Sequence, residues 1–253
     1  MGKTLIQAAE STEGIELGLA LEIAGNEAIG QDAGTLAGVS ENGITVTSEY
    51  CADLFDTLIE FTSPEATMHH VAKCQTDGKS IVIGTTGLSD DQKHDISEAA
   101  RHIRIVWAPN MSVGVNITLK LLAMAAEAFG DSVDVEVIEA HHRAKVDAPS
   151  GTALRMGEVV ADALGRTLEE HGVFERHGII GPRQDKTIGF STIRGGDVVG
   201  DHTVMFIGQG ERVEITHRSN SRMNYAAGAI RAAKWLIDKP PGLYDLADVL
   251  GLS

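Results

Sequence analysis

The densest chemistry in the chain lies in the run Glu139-Ala140-His141-His142-Arg143-Ala144-Lys145-Val146-Asp147-Ala148-Pro149-Ser150-Gly151-Thr152. Two histidines, an arginine and a lysine fall within five residues. Positive groups this close repel one another unless an anion sits among them. Directly afterwards, Pro149-Ser150-Gly151-Thr152 reads as a helix start. Free backbone N–H groups at such a start bind anions, and Gly151 permits close approach. Together the two features describe a pocket for a small carboxylate or phosphate. Histidine exchanges protons near neutral pH, so His141 or His142 suits acid/base work, and Lys145 suits a proton donor. Taken singly, each feature has a plain structural reading, a solvated loop at a strand end and a simple helix cap. Their adjacency favours binding. A zinc site is disfavoured: neighbouring strand residues point to opposite faces, and no nearby Cys or third His has ligand spacing.

Two further loops stand at strand ends. Gly84-Thr85-Thr86-Gly87 follows an apolar strand, and Ala108-Pro109-Asn110-Met111-Ser112 follows the next one. Open parallel sheets bind ligands at the carboxyl ends of their strands. Glu22 closes another strand-like segment, where dinucleotide folds place an acid on the adenine ribose. No G-x-G-x-x-G loop precedes it, so on residues alone Glu22 is equally a surface acid. His69-His70 reads as packing within a helix. Cys51 and Cys74 have no base-like neighbour, which argues against a nucleophile. Arg222 is either a surface charge or a second anchor for an anion.

The elements that must position these residues follow from periodicity. Lys3–Ser11 reads as a helix and Gly14–Leu21 as an alternating strand. Strands are expected at Leu58–Phe61, Ser80–Gly84 and Ile103–Trp107. The helices between them are opened by Ser63-Pro64 and by Ser89. Strand, helix, strand at this spacing predicts a parallel sheet with helices on its faces. The second half reads differently. A long apolar helix, Val113–Phe129, leads to a strand at Val133–Ala140 and a helix at Thr152–Leu164. Three strand-like runs follow, Lys186–Arg194, Val198–Ile207 and Arg212–His217, suited to antiparallel or mixed pairing. A last helix, Ser221–Ile237, precedes Pro240-Pro241. The fold class expected is therefore α/β, a nucleotide-type domain joined to an α+β domain.

Composition bounds the rest. The 253 residues carry 36 acidic against 21 basic side chains, for a net charge of −15. That balance argues against a nucleic-acid binder, which needs a basic face. No run of about 20 apolar residues is expected to span a membrane. Two cysteines make no disulfide framework. No secretion signal is read at the start, and a cytoplasmic location is expected.

The run Glu136 to Ala153 resembles the 4-hydroxy-tetrahydrodipicolinate reductase family, above all in His-His-x-x-Lys-x-Asp-x-Pro-Ser-Gly-Thr. Gly84-Thr85-Thr86-Gly87, the segment Ala108 to Asn116, and Glu214-Ile215-Thr216-His217 resemble it too, in the right order. The resemblance implies a cytoplasmic homotetramer of lysine biosynthesis. Such an enzyme reduces a cyclic imino dicarboxylate to tetrahydrodipicolinate with NADH or NADPH. By that resemblance His141 is the acid/base residue and Lys145 the proton donor. His142, Lys145, Gly151 and Thr152 bind substrate. Met1, Glu22, Gly84, Thr85, Thr86, Ala108, Pro109, Asn110 and Met111 line the cofactor. No metal is implied. A Rossmann-type dinucleotide domain is expected from residues 1–112 and 223–253, with substrate binding and tetramerisation in 113–222. Against the family pattern, the first strand and most of the pyrophosphate loop are not found in the residues given. The chain as given is therefore expected to fold poorly and to bind cofactor weakly. The alternative is a weakly active or silent dicarboxylate-binding oligomer. A semialdehyde dehydrogenase is disfavoured, since neither cysteine lies near the nicotinamide loops. Ile23 stands where NADPH users often place a basic residue, so NADH is the expected preference.

Overall fold

The computed structural model describes residues 1–252. The first elements are α1 (Gly2–Glu10), β1 (Ala20–Leu21), α2 (Ala33–Ala37), β2 (Val46–Thr47), β3 (Thr57–Glu60), α3 (Pro64–Asp77), β4 (Ser80–Ile83), α4 (Asp90–Ala99) and β5 (Arg104–Trp107). Then come α5 (Val113–Phe129), β6 (Asp134–His141), α6 (Gly151–Ala163), α7 (Leu168–His171), β7 (Gly172–Val173), β8 (Ile188–Arg194), β9 (Gly200–Ile207) and β10 (Arg212–Ser219). The chain closes with α8 (Met223–Leu236), β11 (Gly242–Tyr244) and α9 (Leu246–Leu250). Two compact units result, Met1–Val113 with Arg222–Ser253, and Gly114–Ser221.

In the first unit four parallel strands run in the order β11-β5-β4-β3. Strand alternation decides what each face meets. Ile81 and Ile83 pack with Val71, Cys74, Ile96 and Ala99 of α3 and α4. Val82 and Val106 pack with Ala229, Ala232, Leu236, Leu246 and Val249 of α8 and α9. Helices thus cover both faces, as a doubly wound sheet requires. Helix boundaries follow their caps. The Ser63 hydroxyl accepts from the Ala66 N–H at the start of α3, and left-handed Gly78 ends that helix. Ser89 and Gln92 form a reciprocal capping box on α4.

Two stretches depart from the sequence expectation. Only Ala20–Leu21 of the expected strand Gly14–Leu21 is paired, in a separate two-stranded sheet with β2. Gly18 instead packs so tightly on Leu54 that a Cβ would lie 1.9 Å from its carbonyl oxygen. Ile15 packs against the α1–α8 contact. Beyond the proline pair, β11 extends the sheet beside β5, and the Asp245–Asp248 capping box starts α9. Consecutive prolines mark a break in helix, not the end of structure.

In the second unit the sheet order is β10-β9-β6-β8-β7. β6 is antiparallel to β9 and parallel to β8, so the sheet is mixed. One face holds a core of Val135, Val137, Val204, Phe206 and Ile188, closed by Leu122 and Ala126 of α5 and Met156 and Val160 of α6. The other face leaves Ile193 exposed and Ile138 and Met205 half-buried. Among the described residues one stretch, α5 with its following turn (Val113–Ser132), meets the length and composition of a spanning segment, as a core helix also can. Here Val115, Thr118, Leu122 and Ala126 are buried, while Ile117, Leu121 and Met124 face outward.

Candidate active site

The cationic run begins where β6 ends. Along β6, Val135, Val137, Glu139 and His141 share the buried face. The last two are polar, so the sheet's apolar core gives way to an ionic corner at its carboxyl end. Register brings the partners. Glu139 lies opposite Thr192 on β8 and His202 on β9, and His141 lies opposite Arg194.

Glu139 is buried yet fully paired. Arg194 donates from Nη1 to Oε2 and from Nη2 to Oε1, both at 2.7 Å. The Ser150 N–H reaches Oε1 at 3.1 Å and the Thr192 hydroxyl at 3.3 Å. His141 Nδ1 sits 2.6 Å from Oε2. Burial alone would push this carboxyl up, but Arg194, His141 and the Ser150 N–H outweigh it and hold it below its usual value. The same pairing raises Arg194.

The helix start expected at Ser150 is present. Its hydroxyl accepts from the Ala153 N–H at 3.1 Å and lies 2.9 Å from His202 Nε2. The loop between is tied down by backbone bonds: the His142 N–H donates to Val198 and the Lys145 N–H to His142. Lys145 Nζ donates to Asp147 at 2.7 Å, which lowers the Asp147 pKa. His142, Lys145 and Thr152 are half-buried, and Gly151 is exposed. The structure therefore brings His142, Lys145, Gly151 and Thr152 onto one loop and helix start, with His141 buried behind them. The role of Glu139, Arg194 and His202 is not apparent from composition. The available signal is charge at a core position: Glu139 stands two residues from Val137 on a strand that is otherwise apolar on that face.

Burial pushes the His202 pKa down to about 4, helped by the charges of His141, His217 and Lys145 and opposed by Glu139. His217 is lowered for the same first reason. A histidine with its folded pKa below the unfolded value of about 6.5 is protonated first in the unfolded chain. Stability is unaffected above about pH 7 and is lost as pH falls from about 6.5 towards 4, by about 3 kcal/mol at most for His202. Lowered Glu139 adds a further loss at lower pH, when its carboxylate protonates. Thermal unfolding from pH 7.5 to 4.5 should show the decline, and H202Q, which keeps an acceptor but cannot titrate, should flatten it. A decline of equal size in H202Q contradicts this account.

The nucleotide-type loops lie in the first unit. Ile83 pairs with Trp107, and the Ala108 N–H donates to the Ile83 carbonyl, so the two loops leave adjacent strands side by side. Gly84 is packed on Phe61, where a Cβ would meet the ring at 2.3 Å. Thr86 and Pro109 are exposed and Asn110 half-buried. The Thr85 hydroxyl is used within the protein, accepting from the Thr62 N–H and bonding Thr67. Ala108 and Met111 are buried in the core beneath. Glu22 is exposed and accepts from the Ile23 N–H, and Met1 precedes α1 and packs beside Ala8 and Ala9. His70, expected only to pack, pairs with buried Glu60. Arg222 is exposed at the start of α8.

A doubly wound parallel sheet with paired strand-end loops, joined to a mixed-sheet unit with a cationic corner, defines a two-unit protein whose first unit is of Rossmann type. Family profiles make this specific. "Dihydrodipicolinate reductase, N-terminus" matches residues 1–111, and "Dihydrodipicolinate reductase, C-terminus" matches 114–250. The chain belongs to the dihydrodipicolinate reductase family. The 4-hydroxy-tetrahydrodipicolinate reductase of Acinetobacter baumannii is 56% identical over 100% of this chain and 93% of its own length. That of Hahella chejuensis is 55% identical, over 100% and 96%. A dipicolinate-bound dihydrodipicolinate reductase from Paenisporosarcina sp. TG-14 shares the fold at TM-score 0.76 and 22% identity, covering 96% of this chain and 92% of that one. NAD-bound GenD2 of gentamicin A biosynthesis shares it more distantly, at TM-score 0.59 and 14% identity over 100% and 88%.

Proposed function

We propose that the cationic corner of the second unit holds a ring bearing two carboxylates while His141 and Lys145 manage its protons. The protein is a 4-hydroxy-tetrahydrodipicolinate reductase, an oxidoreductase of the diaminopimelate route to lysine that uses NAD(P)H. The observation that carries the assignment of roles is the placement of Lys145 and His142 beside the capped start of α6, in a chain of net charge −15. Cations and helix N–H groups together offset the repulsion between two carboxylates. His142, Lys145, Gly151 and Thr152 bind the substrate. Lys145 donates the proton to ring carbon once it becomes electron-rich, and His141 is the acid/base group.

The first unit fits a dinucleotide. Gly84 is held against Phe61 at the end of β4, and the exposed positions Thr86, Gly87 and Pro109 border the strand ends. When bound, the nicotinamide nucleotide supplies the hydride. Gly84, Thr85, Thr86, Ala108, Pro109, Asn110 and Met111 would hold its nicotinamide portion, Thr85 and Met111 through their backbone. Glu22 would hold the adenine ribose, with Met1 near the pyrophosphate. Exposed Ile23 offers no charge to a 2′-phosphate, so NADH is preferred. The outward stripe Ile117, Leu121 and Met124 with the open sheet face suits a homotetramer, and the place of work is the cytoplasm.

The test is nucleotide oxidation followed at 340 nm with the ring substrate. Efficiency with NADH should exceed that with NADPH, and I23R should improve NADPH use about tenfold, the worth of one charged hydrogen bond. No oxidation with either nucleotide contradicts the reading, and better efficiency with NADPH contradicts the preference.

A further inference from the structure

We propose that Glu139 is the positioning residue that sets which nitrogen of His141 exchanges protons, and that Arg194 holds Glu139 in that role. The inference rests on the reading of His141 as the acid/base group and deepens it. An ionised carboxylate can only accept. Glu139 Oε1 already receives Arg194 Nη2–H, the Ser150 N–H and the Thr192 hydroxyl, and Oε2 receives Arg194 Nη1–H. His141 Nδ1, 2.6 Å from Oε2, must therefore carry the hydrogen that points at it. That leaves Nε2 as the nitrogen able to take or give a proton. Space has been kept beside it. Gly200 lies alongside, and a Cβ there would stand 3.0 Å from Nε2. The His202 ring packs edge-on to His141 with centroids 5.1 Å apart, its own Nε2 engaged with Ser150.

The same carboxylate links the histidine to the substrate loop. The Ser150 N–H that Glu139 accepts belongs to the cap of α6, and Arg194 also donates to the Asp147 carbonyl at 2.7 Å. One ionised group thus fixes the orientation of His141 and the position of the helix start that would face a carboxylate. The substitution E139Q separates orientation from shape. Three donors surround Oε1, so the amide oxygen stays there and the amide nitrogen takes the place of Oε2, giving up the bond from Arg194 Nη1, which keeps its bond to the Ile193 carbonyl. The amide nitrogen then presents a hydrogen to Nδ1, and His141 turns to the Nε2-protonated tautomer.

The full chain with nitrogen-15-labelled histidine reads this directly by long-range proton–nitrogen spectra, recorded where imidazole is neutral. The expected wild-type His141 carries its proton on Nδ1, and E139Q carries it on Nε2. In the same variant kcat should fall at least about a hundredfold, the penalty of a wrong tautomer. KM and dipicolinate affinity should change less than about threefold. A wild-type His141 protonated on Nε2, or a wild-type kcat in E139Q, overturns the proposal. Should E139Q fail to fold, the wild-type spectrum decides alone. H141Q separates the two levels: full activity in H141Q removes the acid/base reading itself, whereas an inactive H141Q beside an active E139Q removes only the role of Glu139.

Discussion

K145M is expected to lower kcat for ring reduction by about a thousandfold while leaving NADH affinity within twofold. Methionine keeps the length and most of the apolar stem of lysine but has no proton to give and no charge for a carboxylate. General acid catalysis contributes about 10²–10⁴ in rate, so removal of the donor should cost that order. KM should rise as well, because a charged hydrogen bond to substrate is lost. The fold should tolerate the change. The partner left behind, Asp147, is exposed and can be hydrated once the 2.7 Å contact to Nζ is gone. Steady-state kinetics and a nucleotide titration on one preparation measure both effects. An unchanged kcat would remove Lys145 from the chemistry.

The second large effect is expected far from that loop in sequence. G228A should destabilise the first unit by about 3 kcal/mol, the upper range for overpacking a filled interior. Gly228 lies on the buried side of α8, and a Cβ there would come within 1.8 Å of the Met111 carbonyl oxygen. Backbone cannot yield as a flexible side chain does, so α8 must retreat from the segment that follows β5. Thermal unfolding should fall by about 6–12 °C, at about 2–4 °C per kcal/mol for a chain of this size. Because Met111 belongs to a proposed cofactor loop, NADH affinity should fall too. Dipicolinate binding, assigned to the other unit, should hold. A G228A protein with wild-type melting would show that the α8 contact is not tight.

Much of this arrangement was legible in the residues because it is local. The apolar run 113–129, the Ser63-Pro64 start and the Ser150 cap each specify a boundary with side chains a few positions away, and those elements stand as expected. The loop at 141–152 was legible because clustered cations and a helix start are unusual in an acidic chain. What could not be read depends on register between distant strands. Glu139 meets Arg194 and His202 because β6 lies between β8 and β9, and nothing within the run 139–152 states that pairing. The segment 14–19 alternates like a strand, yet its close contact with the Leu54 carbonyl is set by tertiary packing. Thr85 shows the same limit on a small scale. Its place in a glycine-bounded loop suggests a ligand contact, while its hydroxyl is spent on Thr62 and Thr67 of the neighbouring turn and helix.

The central claim is that the corner around Lys145 and the start of α6 is built for two carboxylates at once. Titration calorimetry with pyridine-2,6-dicarboxylate and with pyridine-2-carboxylate tests it on the unmodified chain. The diacid should bind at least about a hundredfold more tightly than the monoacid, the difference made by one further charged hydrogen-bond set. Equal affinity for the two rings, or binding of neither, would contradict the account.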